Sequence, residues 1–176
     1  MKKLTTFLLV CLFASAASFA VTGKANAQLS LLPSIRVKAG LFLPSSSTLT
    51  NAVGNTWIKL GVDVGLPVGF NIPIVGASTH IGIDYAVKGS SSLVPITLME
   101  MIQPSAGVRS PIFGGIGLGM YTAHFKGAGS ATRLGYRLMG GFEFNPKFFI
   151  EAQYDVVGQI RGTRADGISV LVGTHF

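Results

Sequence analysis

Charge follows a two-residue period in five separate segments of this 176-residue chain. In the first segment Arg36 and Lys38 share one parity, while the alternate positions from Ile35 to Leu43 are apolar. Because side chains alternate across a β-strand, each segment is predicted to be a strand with one charged and one apolar face. No charged residue falls on the apolar parity of these five strands. The charged faces contain Arg36, Lys38, Lys59, Asp63, Asp84, Lys88, Arg133, Arg137, Glu143, Glu151 and Asp155.

Eight segments of the chain have the length that a tilted membrane-spanning strand needs, about 9 to 11 residues. Clusters of Ser, Gly, Pro and Asn separate them. The last segment alternates up to an aromatic residue, Phe176. The predicted strands cover residues 34–43, 57–66, 78–88, 94–103, 110–121, 131–144, 147–157 and 167–176. With both termini in the periplasm, the predicted outer loops are 44–56, 89–93, 122–130 and 158–166.

The composition indicates a wall that faces lipid. Only 12% of the residues are Asp, Glu, Lys or Arg, about half the usual share in soluble domains. Beyond the amino-terminal segment, no run reaches the ~18 apolar residues of a membrane helix. A closed barrel is the other backbone arrangement that satisfies its own hydrogen bonds in lipid. The predicted fold class is therefore all-β, an eight-stranded antiparallel up-and-down transmembrane β-barrel.

Glycine is frequent on the polar parity, which suits a crowded lumen and a tightly curved wall. The apolar parity is therefore assigned to lipid and the polar parity to the interior. The alternative is a soluble, exported, lipocalin-like carrier, whose outer face would be densely charged. The fourth strand resists a clean assignment, because placing Glu100 inside would also place Val94, Ile96 and Leu98 there.

The amino terminus has the pattern of a secretory signal peptide. Two lysines precede an apolar run, and Ala25-Asn26-Ala27 forms a small-x-small cleavage pattern. Residues 1–27 are the predicted signal peptide, and residues 28–176 are the predicted barrel domain. Cleavage would remove the single cysteine and three lysines, and so reduce the formal net charge from +7 to +4. This charge is too small and too scattered to predict a nucleic-acid partner.

The charges on the inward parity nearly cancel, with six basic and five acidic residues. Buried charges must pair, so these residues are predicted to form a self-neutralising network that fills the lumen. The alternative is a selective polar conduit, but eight strands enclose only enough space for side chains. On the predicted outer loops, Lys126, Arg161 and Arg164 are candidate contacts for the phosphates of lipopolysaccharide, or else simple solvated charges.

Three stretches of the chain, SIRVKAGLFLPSS, VPITLMEMIQP and SPIFGGIGLGMYTAHF, together with the final His-Phe, resemble the superfamily of small outer-membrane barrels that includes the outer-membrane protein W family. The resemblance implies an eight-stranded barrel that is inserted by the barrel-assembly machinery, with Phe176 as a terminal assembly signal. In outer-membrane protein W relatives a narrow hydrophobic passage for small apolar molecules is proposed. The outer loops of this chain are shorter than is usual in that family.

Some small barrels modify envelope lipids, but their nucleophile patterns are missing here. The sequence pattern of the lipid A deacylase resembles a His-x-Ser-Asn stretch, whereas in this chain His124 is followed by Phe125, Lys126 and Gly127. Without a hydroxyl nucleophile there is nothing for a general base to activate. The three histidines lack metal-ligand spacing. No catalytic residue, cofactor or metal is therefore predicted.

The sequence thus predicts a monomeric protein of the outer membrane of a Gram-negative-type envelope. Its expected role is structural, surface-interacting or weakly transporting, and not enzymatic. Outer-membrane lipids, lipopolysaccharide and the barrel-assembly machinery are its expected partners. An envelope-lipid-modifying barrel enzyme and the soluble carrier remain the alternatives.

Overall fold

A computed structural model describes residues 34–66, 75–104, 110–127, 129–160 and 162–176. The predicted signal peptide, residues 1–27, lies outside the described residues. Eight antiparallel strands close into one barrel, in which the first strand pairs with the last. The strands are β1 (Ile35–Pro44), β2 (Trp57–Gly65), β3 (Val75–Lys88), β4 (Ser91–Pro104), β5 (Ile112–Phe125), β6 (Gly129–Glu143), β7 (Phe148–Val156) and β10 (Gly167–His175). The short strands β8 (Gln159–Ile160) and β9 (Thr163–Arg164) form a separate pair.

The predicted number, order and closure of the strands are confirmed, with most boundaries shifted by only one to three residues. The predicted loop 122–130 is wrong, because β5 and β6 extend through most of it. Polar cross-strand pairs support this extension. The Oγ1 atoms of Thr122 and Thr132 lie 2.8 Å apart, and His124 Nδ1 lies 2.9 Å from Ser130 Oγ.

The apolar parity covers the outside of the barrel and the polar parity the inside. On β1, for example, Arg36 and Lys38 are almost fully buried, whereas Leu41 and Leu43 are exposed. Strand β4 follows this pattern only in part, because apolar residues occupy both of its faces. Leu93, Thr97 and Met99 point inwards, and Glu100 lies on the outer face with the apolar residues.

Glycine allows β1 and β10, the strands that close the barrel, to approach each other closely. A Cβ atom at Gly40 would collide with the carbonyl oxygen of Val170 on the paired strand β10. The curvature of the wall at this seam therefore depends on the absence of a side chain.

Two loop elements cover the end of the barrel opposite the chain termini. Helix α1 (Ser47–Val53) begins at Ser46, whose side chain accepts a hydrogen bond from the Leu49 amide at 3.4 Å. Within the described ranges no helix is long and apolar enough to cross a membrane. In the loop that carries β8 and β9, Asp166 Oδ1 accepts hydrogen bonds from the amides of Val157 and Gly158, both at 2.8 Å. Neither element was predicted from the sequence.

Candidate functional site: the filled barrel interior

Eight charged side chains meet in the middle of the barrel, and we call this set the lumen network. Each has a relative exposure of 1% or less. Five barrel strands supply them, because strand tilt brings inward residues from opposite walls to the same level. The members are Arg36, Lys38, Lys59, Asp63, Asp84, Arg137, Glu151 and Asp155.

One half of the lumen network is centred on Glu151 of β7. Arg36 Nη2 lies 2.8 Å from Glu151 Oε2, and Lys38 Nζ lies 3.1 Å from Glu151 Oε1. Lys38 also contacts Asp63 of β2 at 2.7 Å. The two cations of β1 thus contact carboxylates on β2 and β7. The carboxylate on β7, Glu151, lies more than 110 positions from both cations in the sequence.

The other half is centred on Asp155. Arg137 Nε lies 2.7 Å from Asp155 Oδ1, and Lys59 Nζ lies 3.0 Å from Asp155 Oδ2. Arg137 also contacts Asp84 at 2.6 Å. The Tyr121 hydroxyl donates a further hydrogen bond to Asp155 at 2.9 Å. Lys59 of β2 therefore forms ion pairs with carboxylates of both β3 and β7.

The lumen network is electrically balanced, since it contains four basic and four acidic side chains. Its hydrogen bonds extend to neutral groups, because Lys59 donates to Gln153 at 2.7 Å and to Ser169 at 3.0 Å. Buried charges at such distances offset their desolvation only when they are paired in this way. Oppositely charged side chains that pair in a closed space are suited to fixing the register of the strands and to blocking the lumen.

Apolar side chains close the lumen on both sides of the network. The outer cluster lies towards the loops, where Phe42 and Trp57 pack edge to face with ring centroids 5.9 Å apart. The inner cluster lies towards the chain termini, and the guanidinium of Arg36 lies 4.0 Å from the ring centroid of Phe149. The outer cluster includes Phe42, Leu49, Trp57, Leu93, Tyr121, Phe125 and Ile160, and the inner cluster comprises Met99, Met101, Phe113, Met139 and Phe149.

These two clusters were not predicted from the sequence, although it contains a signal for them. Phe42 and Trp57 have the same parity as the charged residues of their strands, and Tyr121 has the same parity as the glycines Gly115, Gly117 and Gly119 of β5. Attention to charge alone left them unassigned. An aromatic residue on the inward parity indicates a lumen packed with apolar groups at that level.

Three residues predicted for the lumen lie at its ends, outside the lumen network. Lys88 and Arg133 are exposed at the loop end. Glu143 lies at the terminal end, where its carboxylate accepts a hydrogen bond from Gln103 at 3.1 Å and lies 3.3 Å from His175 Nε2. The structure therefore brings eight of the eleven predicted residues together and distributes the other three over the two rims.

Of the three predicted lipopolysaccharide contacts, the structure describes Lys126 and Arg164. Lys126 is exposed in the turn between β5 and β6, and Arg161 lies outside the described residues. Arg164 is exposed and lies 2.9 Å from Asp166. It borders a polar recess of about 230 Å³, which is lined by Ser45, Ser46, Tyr154, Arg164 and Asp166.

No model of a known protein family matches the chain, and no curated protein matches it. Among solved structures, the N-terminal β-barrel domain of OprF from Pseudomonas aeruginosa aligns with a TM-score of 0.51 and 12% identity, over 82% of this chain and 98% of that one. Neisserial surface protein A gives a TM-score of 0.47 and 11% identity, over 81% and 94% of the two chains. The outer membrane protein OprG from Pseudomonas aeruginosa gives 0.45 and 14%, over 82% and 96%.

The fold and its two faces define the class of protein. A closed eight-stranded barrel with an apolar outer wall and a charged interior has the reversed patterning of membrane barrels. A continuous outer wall of exposed Leu, Ile and Val side chains does not suit a soluble carrier. The protein has the fold of a small outer-membrane β-barrel, and the resemblance to the superfamily that includes outer-membrane protein W agrees with this fold.

Proposed function

We propose that the protein serves as a closed, monomeric barrel with a structural or surface-interaction role in the outer membrane, without catalysis and without an open conduit. The observation that carries this proposal is the filled lumen. A balanced network lies at its centre, and apolar clusters lie above and below it. The buried carboxylates and amines hold one another instead of facing an open cleft, so none of them is assigned a catalytic role.

Transport would require this arrangement to open. A polar solute would have to pass the outer cluster and then separate ion pairs such as Arg137–Asp155 and Arg36–Glu151. Breaking one buried pair costs about 3 to 5 kcal/mol, because each partner is left as an uncompensated charge. A blocked lumen is therefore the resting state that the geometry supports.

Electrical recording tests the blocked lumen. Purified protein inserted into a planar lipid bilayer is expected to show no large, steady conductance, since no continuous water column can form through the network and the two clusters. Insertion is verified by the heat-dependent gel shift of the same preparation, because a folded membrane barrel resists detergent until it is heated. A stable porin-like current from the inserted protein would contradict the proposal.

Surface interaction with lipopolysaccharide is a second candidate function, and the recess beside Arg164 favours it. Tyr154 lies on the outward parity of β7, so the recess opens towards the lipid wall. The guanidinium of Arg164 and the hydroxyls of the two serines and the tyrosine that line the recess are hydrogen-bond donors that suit a phosphate or sugar group. A phosphorylated glycolipid of the outer leaflet is the ligand of this type that would lie next to it.

The Arg164→Gln variant tests this second function. Its affinity for lipid A in mixed micelles is expected to fall about three- to tenfold, the effect of one partly exposed charge-assisted hydrogen bond. Lys147→Gln is the matched control, since Lys147 is exposed at the opposite rim. Dephosphorylated lipid A should bind equally to all three proteins. Equal affinity of the wild type and Arg164→Gln for phosphorylated lipid A would reject the recess as a contact site.

The barrel-assembly machinery remains a proposed partner. Phe176 follows β10 and is exposed, which leaves its ring available for recognition. The assembly role of Phe176 stays a prediction that rests on the family resemblance.

A further inference from the structure

Glu100 is the only Asp, Glu, Lys or Arg on the outward parity of the eight barrel strands, within the described residues. It lies opposite Thr79 of β3 on one side and Ile116 of β5 on the other. The Thr79 hydroxyl donates a hydrogen bond to Glu100 Oε1. The described residues provide no Lys or Arg ion pair for this carboxylate. An acidic group on a lipid-facing wall is costly without a partner.

A groove adjoins Glu100 on the outer wall. It has a volume of about 470 Å³ and runs along β4, β5 and β6. Besides Glu100, it is lined by the outward residues Leu98, Ile116, Leu118, Tyr136 and Leu138 and by Met99, Gly117 and Arg137 of the inward parity. The site therefore combines one polar end with an apolar trough, which is the pattern of a lipid with a headgroup and an acyl chain.

The position of Glu100 relative to the apolar part of the groove matches the orientation of a lipid in one leaflet. Glu100 lies four residues from the end of β4 on the side of the chain termini, about 10 Å along a tilted barrel axis. Two cross-strand rows line the groove: Glu100, Ile116 and Leu138 form one row, and Leu98, Leu118 and Tyr136 form the other, two residues nearer the loop end of β4. A lipid of the leaflet on the side of the termini has the same order, with its headgroup at that surface and its chains towards the midplane.

We propose that Glu100 and the adjoining groove bind a phospholipid with a primary ammonium headgroup, such as phosphatidylethanolamine, from the periplasmic leaflet. The ammonium donates a charge-assisted hydrogen bond to the Glu100 carboxylate. Thr79 orients the carboxylate, and an acyl chain lies against Ile116, Leu118 and Leu138. This inference rests on the proposed outer-membrane barrel and on the periplasmic termini expected from the sequence, but not on the filled lumen or on the recess beside Arg164.

Lipid binding to the refolded protein in detergent, followed by native mass spectrometry, tests the site. With identical acyl chains, phosphatidylethanolamine is expected to bind the wild type about tenfold more tightly than phosphatidylcholine, whose quaternary ammonium has no N–H donor. Phosphatidylglycerol, which lacks a cation, should also bind weakly. Equal binding of the three lipids to the wild type would overturn the proposal without any reference to variants.

Variants test whether Glu100 and Thr79 cause the preference for phosphatidylethanolamine. Glu100→Gln should abolish it and Thr79→Val should weaken it, whereas the control Ile83→Gln, on the outer face of β3, should keep it. A preference that survives in Glu100→Gln would overturn the assignment of the site. Dimers that depend on Glu100, with no lipid preference, would also overturn it in favour of a second copy as the occupant. Heat-dependent gel migration of each variant separates failure of the barrel itself from failure of the lipid site.

Discussion

Replacement of Arg137 by methionine is expected to lower the free energy of unfolding by about 3 to 5 kcal/mol, the usual cost of removing one partner of a buried ion pair. Arg137 contacts Asp84 at 2.6 Å and Asp155 at 2.7 Å, and it has no exposed surface. Without it, Lys59 is the nearest remaining cation for both carboxylates. Urea unfolding of the protein in detergent, followed by the fluorescence of the single tryptophan, Trp57, measures the change.

Arg133→Met is the matched control for this variant. Arg133 lies on the same strand and the same parity, but it is exposed at the loop end. Its replacement should change stability by no more than about 0.5 kcal/mol. Adding Asp155→Asn to Arg137→Met restores the charge balance of the lumen network and should recover part of the loss. Equal effects of the two single variants would show that the lumen network does not stabilise the barrel.

Replacement of Val170 by arginine is expected to cost about 2 to 4 kcal/mol in a lipid bilayer, the range measured for a cation on the lipid face near the midplane. Val170 is exposed on the outer face of β10, about halfway along the strand, and pairs with Leu41 and Ala152. Unfolding in lipid vesicles measures the cost, because the penalty depends on hydrocarbon around the side chain.

Thr174→Arg provides the control on the same strand and the same face. Thr174 lies four residues further on, beside Phe148 at the terminal rim. At that interface the cost should fall to about 0 to 1 kcal/mol. A Val170→Arg variant as stable as Thr174→Arg would mean that this face does not lie in lipid.

Parity predicted the barrel because one rule governs five of its spanning strands. Each of the five strands with alternating charge has an apolar face that must meet lipid and a charged face that must not, so alternation assigns both sides of these strands. The exception was β4, where one acidic residue at Glu100 competed with Val94, Ile96 and Leu98. The structure follows the apolar majority. A single glutamate can be paired by Thr79, whereas turning the strand over would remove a whole row of apolar side chains from lipid.

The sequence predicted which residues face the lumen better than it predicted which of them meet at its centre. Alternation placed Arg137 and Arg133 on one face but could not show that only Arg137 reaches the centre. That distinction depends on the height of each residue along the barrel axis, which is set by strand tilt and register. The same limit applies to helix α1 and to the pair β8 and β9, whose positions depend on apolar contacts between separate loops.

The distribution of the lumen network along the chain determines when its charges can balance. Five of its members come from β1, β2 and β3, with one positive charge in excess, and three come from β6 and β7, with one negative charge in excess. Neither end of the chain can neutralise itself. The lumen network therefore becomes neutral only when the amino-terminal and carboxy-terminal strands come together in the closed barrel, where β1 pairs with β10.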